Sequence, residues 1–345
     1  MTSDKSSTDR ARGVSMADVA AAAGVSAQTV SRVSSGRGPV SDATRMRVVS
    51  AMQQLGYRPN GAARALKFGR FRSIGVIMFS LTSYGNMRTL DAIAAEASEL
   101  GYSITLIPLR TATQASVSGA FARLNEEAVD GVVIVIEAHR LDETELALPT
   151  GLPFVVIDSD ERYSRSVVDT DQAQGARLAT THLLDLGHQT VWHVAGPNES
   201  YSAHRRHQSW AQTLHDRGAQ TPQVLVGDWS SESGHRAGQA LARNRDVSAV
   251  FAGNDQMALG IIHALHQAGR RVPDDVSVVG FDDMPESADF WPPLTTVRQH
   301  FDRVGSIALR HLVALIEGDE PGPSDPVPTE LVVRESSGPP PRPSM

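Results

Sequence analysis

The spacing of apolar and polar residues along the chain changes near residue 72. Upstream, apolar residues recur at helical spacing in three short segments. Downstream, short runs rich in Val and Ile alternate with amphipathic stretches, which is the pattern of strands followed by helices. Strands without polar alternation are typical of parallel sheets that helices cover on both faces. The chain is therefore predicted to have a small helical head and an α/β body.

Seven apolar runs predict the strands of the body. They are "SIGVIMF" (73–79), "YSITLIP" (102–108), "VDGVVIVI" (129–136), "LPFVVID" (152–158), "TVWHVAG" (190–196), "VSAVFAG" (247–253) and "DVSVVGFDD" (275–283). Helices are predicted between them at 88–100, 172–187, 203–218, 232–245 and 256–269. A body of about 270 residues is long enough for two lobes, and such sheets bind ligands at the carboxyl ends of their strands.

The head begins with "MADVAAAAGVSAQTVSRV" (16–33), in which an alanine-rich helix breaks and a second helix follows. Ser15 is predicted to cap the first helix, Gly24 to end it in a left-handed conformation, and Ser26 to cap the second. A third helix is predicted over about 42–56. The expected core of the head is Val19, Ala20, Ala23, Val30 and Val33. The expected inward stripe of the third helix is Met46, Val49 and Met52 or Gln53. Three short helices joined by a tight glycine turn are typical of a DNA-binding head.

The charge is distributed unevenly along the chain. Residues 1–72 hold 12 Lys and Arg against 4 Asp and Glu, whereas the remaining residues hold 20 against 35. A basic head on an acidic body indicates that the head alone contacts a polyanion. The absence of cysteine excludes disulfides, thiolate catalysis and cysteine-based metal sites. No apolar run reaches ~18 residues and no secretion signal is evident, so a cytoplasmic protein without a membrane span is expected.

Three segments are predicted to have no stable fold of their own. Residues 1–14 and the proline-rich "ESSGPPPRPSM" (335–345) are expected to be disordered. Residues 60–71, which include "NGAARALKFGR", are too few for an isolated stable helix and are interpreted as a linker that becomes helical when docked.

Several motifs together resemble one family. They are "MADVAAAAGVSAQTVSRV", "GYRPNGAARAL", "HLLDLGH" (182–188), "GDWSSESG" (227–234), "NDQMALG" (254–260), "DVSVVGFDD" and "PPLTTVRQ" (292–299). In order and spacing, from about residue 15 to residue 334, they resemble the lactose/galactose-repressor (LacI/GalR) family, most closely its lactose-repressor branch. Any one of these motifs would be weak evidence, but the set is specific.

The resemblance implies a three-helix helix-turn-helix head (15–59), a hinge helix (60–71) and a two-lobed core (72–334). The core would be of the type I periplasmic-binding-protein-like kind, with doubly wound parallel sheets. One lobe would comprise 72–170 and 300–328, and the other 171–299 and 329–334. It further implies a homodimer on a palindromic operator, and the absence of a leucine-heptad tail favours a dimer over a tetramer.

In such a head the second helix enters the major groove of double-stranded DNA. Gln28 and Arg32 are the candidates for base edges, since Gln pairs bidentately with adenine and Arg with guanine. Ala27 could offer only a methyl contact, and Ser26, Thr29 and Ser31 are candidates for phosphates. The alternative for the hydroxyls is ordinary helix surface. By resemblance, Asn60, Ala63 and Leu66 lie in the hinge, with Leu66 of each subunit wedged into the minor groove.

The resemblance also gives candidate ligand-binding residues in the core. They are Asp158, Arg206, Trp229, Asn254, Asp282 and Gln299. Carboxylates and a guanidinium can chelate sugar hydroxyls, and an indole face can stack on a pyranose, so a sugar effector is expected. Asn254 and Asp282 could instead cap the segments that follow them, Trp229 could be core, and Asp283 is expected to be structural. Phe79 and Val135 stand where relatives carry polar groups, so the sugar is expected to differ.

The function implied is repression of carbohydrate-utilisation genes, relieved when a sugar, for example a galactoside, binds between the lobes. A co-repressor acting with the opposite sign, or a sugar-binding transport protein, is the alternative. The chain is not expected to be an enzyme or to bind a cofactor or a metal. The histidine pairs His204/His207 and His263/His266, at helical i, i+3 spacing, suggest a metalloenzyme as another alternative. No nearby carboxylate completes a recognised metal-ligand pattern. A serine hydrolase would need a G-x-S-x-G elbow, which is missing.

Overall fold

The computed structural model describes residues 14–35, 38–57, 69–81, 83–109, 114–135, 151–158, 167–322 and 324–341. The chain divides into two compact units, Met1–Phe71 and Arg72–Met345. The first unit contains α1 (Met16–Ala23), α2 (Ala27–Ser35) and α3 (Asp42–Leu55). The second unit contains two separate sheets with helices on their faces.

The break between α1 and α2 has the predicted capping chemistry. The Ser15 hydroxyl accepts a hydrogen bond from the Asp18 amide, and the Asp18 carboxylate accepts one from the Ser15 amide. Gly24 ends α1 at φ 63°, a left-handed conformation that suits glycine. Ser26 then accepts from the Thr29 amide at 3.2 Å. Each local signal therefore stops one helix or starts the next.

The core of the head is partly as predicted. Val19, Ala20, Ala23, Val30 and Val33 form one buried cluster with Val48 and Ala51 of α3. The predicted stripe on α3 is wrong, because Met46 and Val49 are 67% and 38% exposed. The Ala-rich face of α1 admits a close neighbour, so the inward positions of α3 take the compact side chains of Val48 and Ala51. Met52 does pack against the cluster, as predicted.

The first sheet of the second unit has five parallel strands in the order β2-β1-β3-β4-β5. They are β1 (Ser73–Met78), β2 (Ser103–Pro108), β3 (Gly131–Val135), β4 (Phe154–Ile157) and β5 (Val167–Val168). Helices α4 (Tyr84–Glu99) and α5 (Gln114–Glu126) belong to this sheet. Alternate strand residues are buried in two separate clusters, one with α4 and one with α5. Helices therefore cover both faces, as the apolar runs predict.

The second sheet has six strands in the order β11-β10-β9-β8-β6-β7, all parallel except β11. They are β6 (Trp192–Ala195), β7 (Leu225–Val226), β8 (Ala249–Ala252), β9 (Ser277–Asp282), β10 (Thr295–Arg298) and β11 (Glu330–Val332). The helices are α6 (Gln172–Asp185), α7 (Tyr201–Asp216), α8 (Ser231–Arg243) and α9 (Asp255–Gln267), followed by a 3₁₀ turn, Pro285–Asp289. Helices α6 and α7 bury one face of the sheet, and α8 and α9 bury the other.

One helix returns from the second sheet to the first. Helix α10 (Phe301–Glu317) follows β10 in sequence, yet Val304, Leu309 and Leu312 are buried in the core of the first sheet. Its Arg310 pairs with Glu96 of α4 at 2.8 Å. The first lobe is therefore completed by a segment about 130 residues beyond its last strand.

The predicted disorder of 335–345 is wrong for residues 335–341. Ser336 is fully buried, and its hydroxyl donates to the Val278 carbonyl at 2.6 Å and accepts from the Thr295 amide at 2.8 Å. The carbonyl of Gly338 lies 3.0 Å from His188 Nε2. Proline-rich composition suggested a solvated tail, but the Ser-Ser-Gly segment supplies partners to the neighbouring strands. Residues 342–345 lie outside the described residues, as do 1–13.

Candidate functional site

A cleft of about 550 Å³, counted to its open mouth, lies at the carboxyl ends of both sheets. All six body residues singled out from the sequence line it, which are Asp158, Arg206, Trp229, Asn254, Asp282 and Gln299. They come from the ends of different strands or from the segments that follow them. Parallel topology therefore brings residues from positions 158 to 299 into one cavity.

Three of these residues have left-handed backbones. Asp158, Trp229 and Asp282 have φ values of 61°, 70° and 119°, and the neighbouring Asp283 has 53°. These four account for most of the non-glycine residues with positive φ in the described part of the chain. Such conformations are costly for a residue with a Cβ and cluster at functional sites. The backbone geometry thus marks the same cleft independently of the side chains.

Arg206 lies on α7 and is 4% exposed. Its Nε donates to Gln172 Oε1 at 2.8 Å, and a terminal nitrogen donates to the Gly253 carbonyl at 2.5 Å. The guanidinium carbon lies 3.8 Å from the ring centroid of Phe281. Burial lowers the pKa of Arg206, and nearby carboxylates oppose that shift. A guanidinium is not deprotonated in proteins, so the group remains a cation at the floor of the cleft.

The indole of Trp229 forms an apolar wall. It lies against Gly196, where a Cβ would come within 2.2 Å of the ring. Asn254 caps α9 by accepting from the Met257 amide, and its side-chain nitrogen donates to the Trp229 carbonyl at 3.1 Å. Asn254 therefore lines the cleft and also orients the Trp229 segment.

Asp282 is held from one side by amide side chains. Gln299 Nε2 donates to Asp282 Oδ1 at 2.6 Å, and Gln172 Nε2 donates to Gln299 Oε1 at 3.2 Å. Since Gln172 also accepts from Arg206, a continuous chain of hydrogen bonds crosses the cleft from the guanidinium to the carboxylate. Such a network fixes polar groups in place before a ligand arrives.

Two more carboxylates lie next to Asp282. Asp255 is fully buried and accepts from the hydroxyls of Thr296 and Ser287 and from the Met284 amide. Burial, followed by the charge of Asp282, raises the pKa of Asp255 to about 7. Asp283, in contrast, pairs with Arg298 and Arg334, consistent with the structural role expected for it.

The sequence did not single out several lining residues, namely Asn86, Thr89, Asp169, Gln172, Ser202 and Phe301. Asp169 follows β5, so the strand-end rule that applies to Asp158 could have found it. However, β5 has only two residues and carries no recognisable apolar run. Burial and the charge of Asp158 hold the pKa of Asp169 well above its ordinary value. Val135 lines the cleft, whereas Phe79 packs against the core of the first sheet.

The DNA-facing candidates of the head lie at the start of α2. Ala27, Gln28 and Arg32 are exposed, and Thr29 and Ser31 are half-buried. The Ser26 and Thr29 hydroxyls lie 3.0 Å apart, so the capping role partly occupies both. Asn60, Ala63 and Leu66 lie outside the described residues, together with the rest of 58–68.

The metalloenzyme alternative gains no support from the part of the chain that the structure describes. No three His, Asp or Glu side chains are grouped there as metal ligands. His207 stacks on His193, and His263 lies beside His235. None of the helices in the described ranges is long and apolar enough to cross a bilayer.

Comparison with known proteins agrees with the resemblance seen in the motifs. Residues 15–60 match the family described as bacterial regulatory proteins, lacI family, and residues 180–337 match a periplasmic binding protein-like domain. The lactose operon repressor of Escherichia coli (strain K12) is 34% identical over 327 residues, which are 94% of this chain and 91% of that protein.

Solved structures agree as well. A crystal structure of the Lac repressor dimer bound to operator and the anti-inducer ONPF has a TM-score of 0.85 and 33% identity, and the match covers 95% of this chain and 100% of that one. A complex of the transcriptional regulator CelR with cellobiose has a TM-score of 0.71 and 31% identity, with 94% and 99% covered. Both the head and the two-lobed core predicted from the sequence are thus those of known repressors. The chain belongs to the LacI family of bacterial regulatory proteins.

Proposed function

We propose that this chain is a sequence-specific DNA-binding repressor whose operator affinity is set by a sugar bound in the cleft of its core. The observation that carries the proposal is a pre-organised polar cleft with an indole wall, in a chain that also has a helix-turn-helix head. The proposal includes no catalytic step and no cofactor.

The chemistry of the cleft supports a sugar. The chain of hydrogen bonds from Arg206 through Gln172 and Gln299 to Asp282 offers both donors and acceptors to vicinal hydroxyls. Trp229 offers one apolar face, which suits the CH groups of a pyranose. ONPF and cellobiose are ligands of the Lac repressor and CelR structures, and a glycoside of that kind fits the donor set here.

The head supports DNA binding through α2. Gln28 and Arg32 are exposed one turn apart, so both can reach base edges in a major groove. We assign phosphate contacts to Ser26, Thr29 and Ser31, and minor-groove contacts to the hinge residues Asn60, Ala63 and Leu66. Two heads on a palindrome require a dimer, and Trp291, 91% exposed on the second lobe, is the strongest candidate for a contact between subunits.

The sign of the response follows from linkage. A sugar can change operator affinity only by binding the two arrangements of the lobes unequally. We infer that it favours the arrangement in which the paired hinges let go of DNA, so that it acts as an inducer. A co-repressor would have the opposite effect in the same assay.

The test begins with selection of an operator from a random-sequence pool by the full-length protein. Binding of the selected duplex is then measured by fluorescence anisotropy, with and without lactose, cellobiose, galactose or glucose. We expect site-specific binding that one sugar weakens at least tenfold, and the Trp229→Ala variant should lose the response while still binding DNA. Tighter binding with sugar would establish a co-repressor. If no DNA sequence is selected, the proposal of a sequence-specific repressor is refuted, and a sugar-binding transport protein is the remaining alternative.

A further inference from the structure

We propose that Asp169 binds the effector as a neutral carboxylic acid, within a pair of carboxyl groups, Asp158 and Asp169, that holds one proton. Effector affinity then falls when the pair loses that proton. The inference deepens the proposed function and rests on it, because it concerns the ligand of the same cleft. It assigns a specificity-determining role to Asp169, which neither the strand pattern nor the motifs indicated.

The register of the first sheet places the two residues side by side. Strands β4 and β5 are parallel, and Ile157 pairs with Val168. The next residue on each strand is Asp158 and Asp169, so two acidic residues follow neighbouring strands at the same level. Neighbouring strands lie about 4.8 Å apart. Both residues line the cleft, and at such a spacing the ionisation of one carboxyl group opposes that of the other.

The charged groups that act on Asp169 come from two other elements. Asp158 follows β4 and opposes its ionisation, whereas Arg205 and Arg206 of α7 favour it. Helix α10 contributes the uncharged ring of Phe301 to the cleft lining. Burial is the largest influence, and with Asp158 it holds the pKa of Asp169 well above its ordinary value in spite of the two arginines. The pair therefore keeps a proton at pH values where an isolated aspartic acid has lost it.

The hydrogen bond of Asp169 to the backbone indicates which oxygen carries the proton. Oδ1 accepts from the Thr170 amide at 2.7 Å, so it serves as the carbonyl oxygen of the acid, and the proton belongs on Oδ2. A carboxylic acid donates a hydrogen bond, whereas a carboxylate can only accept. The ring and glycosidic oxygens of a sugar are acceptors, so the neutral acid supplies them with a donor that an ionised Asp169 would not.

Ligand binding strengthens the preference for the neutral acid. Asp169 is half-buried and lines the cleft. A bound sugar displaces water from the cleft, and this further desolvation disfavours the charged carboxylate. Affinity should therefore be constant below the pKa of the pair. Above it, each pH unit should raise the dissociation constant by up to about tenfold, because a proton has to be taken up when the sugar binds.

Asp169→Asn tests this role because the amide reproduces the singly protonated pair. Its oxygen can accept from the Thr170 amide, its nitrogen can donate to the ligand, and it has no proton to lose in this pH range. Asp169→Ser is a second neutral variant should the first fail to fold. Asp246→Asn, an exposed residue outside the cleft, is the matched control for the change in net charge. Correct folding is checked by melting temperature and by operator binding without sugar.

A second group beside the cleft also titrates in the relevant range. The pKa of Asp255 is raised to about 7 by burial and by Asp282. Asp255→Asn removes this titration and leaves the pair of Asp158 and Asp169 unaltered. It is therefore the variant that separates the two sources of pH dependence.

The measurement is isothermal titration of the full chain with lactose, cellobiose, galactose and glucose from pH 5 to 9. For the sugar that binds best, the dissociation constant of the wild type should rise at least about tenfold toward pH 9. Asp246→Asn and Asp255→Asn should retain a rise, whereas in Asp169→Asn it should be at least about fivefold smaller. At pH 9, Asp169→Asn should therefore bind the sugar more tightly than the wild type. Loss of a merely structural residue would not produce that gain.

The proton itself can be observed without a sugar. The infrared carbonyl stretch of a protonated carboxylic acid should appear in the wild-type minus Asp169→Asn difference spectrum at pH 6, where an isolated aspartic acid is ionised. The band should disappear as the pH is raised through the range in which affinity falls.

Three results would overturn the inference while the proposed function stands. They are absence of that band at pH 6, a wild-type affinity that does not change with pH, and an equal rise in a folded Asp169→Asn or Asp169→Ser variant. If an operator is selected but no sugar binds at any pH, the sugar-responsive part of the proposed function fails first, and the inference fails with it.

Discussion

Replacing Gly196 by alanine tests whether the indole wall controls the effector without touching the effector itself. Gly196 directly follows β6, and a Cβ there would lie 2.2 Å and 2.3 Å from two ring carbons of Trp229. Real Cβ atoms do not approach so closely, so the indole must move. Gly196 is absent from the glycines with positive φ, so alanine meets no left-handed backbone strain there. The substitution therefore acts through Trp229.

The magnitude can be worked from the displaced surface. An aromatic side chain buries 150–250 Å², and a sugar stacked on one face covers roughly a quarter of that, about 50 Å². At about 25 cal/mol per Å², loss of this contact costs about 1.2 kcal/mol, which weakens effector binding about tenfold. Overpacking also lowers the stability of the second lobe, by about 1–3 kcal/mol.

The assay is a double-mutant cycle of Gly196→Ala and Trp229→Ala. The sugar affinity of each protein in the cycle is measured by isothermal titration with the sugar that gives the largest response. Gly196→Ala should weaken binding in the wild-type background and have almost no effect when Trp229 is already absent. Operator affinity without sugar should stay within about twofold, since the head is unaltered. Gly119→Ala on α5, where a Cβ meets nothing within 4 Å, is the matched control.

Two outcomes would refute this reasoning. Equal weakening by Gly196→Ala in both backgrounds would mean that the substitution acts through the backbone or the lobe as a whole. Unchanged affinity in the single variant would mean that the ligand does not stack on Trp229.

Three further predictions follow from other parts of the molecule. Burial and the charge of Asp282 raise the pKa of Asp255 from 3.8 to about 7. The free energy of unfolding should therefore fall as pH rises from about 4 to 7, by an amount on the order of a few kcal/mol. Asp255→Asn, which retains an acceptor for the Met284 amide, should flatten the dependence of urea unfolding on pH, and an unchanged slope would contradict this assignment. Gln28→Ala should weaken operator binding by about 1–3 kcal/mol and relax preference at one base pair while the salt dependence stays constant; equal loss on all sequences would identify a phosphate contact instead. Trp291→Ser should raise the dimer dissociation constant by about 30-fold or more in sedimentation experiments, and an unaltered dimer would remove Trp291 from the interface.

Most of the strands were predictable because a strand buried on both faces needs apolar residues at every position. The runs that include Val132, Val155 and Val250 are of this kind, and each of these three valines is completely buried. The two-residue strands β5 and β7 were missed because such short pairings leave no periodic signal. Asp169 was missed for the same reason, since a residue can be placed at a strand end only when the strand itself is recognised.

Other errors came from properties that depend on contacts between distant segments. The inward face of α3 depends on the size of side chains on α1, which a single-helix pattern does not contain. The ordering of residues 335–341 depends on hydrogen bonds to Val278 and Thr295, far away in sequence. Composition and local pattern predict how a segment behaves in isolation, whereas contacts with distant segments determine the structure of α3 and of residues 335–341.

The left-handed residues of the cleft connect fold to function. A non-glycine residue in this conformation costs about 1–2 kcal/mol relative to glycine, and glycine already serves that purpose at Gly24 and Gly318. Asp158, Trp229 and Asp282 nevertheless retain their side chains at such positions. The side chains must therefore contribute something that glycine could not, and all three line the same cavity. The unfavourable backbone conformation is retained at those positions, at a cost in folding stability, because a carboxylate or an indole has to project into the cleft from the end of a strand, where the chain turns sharply.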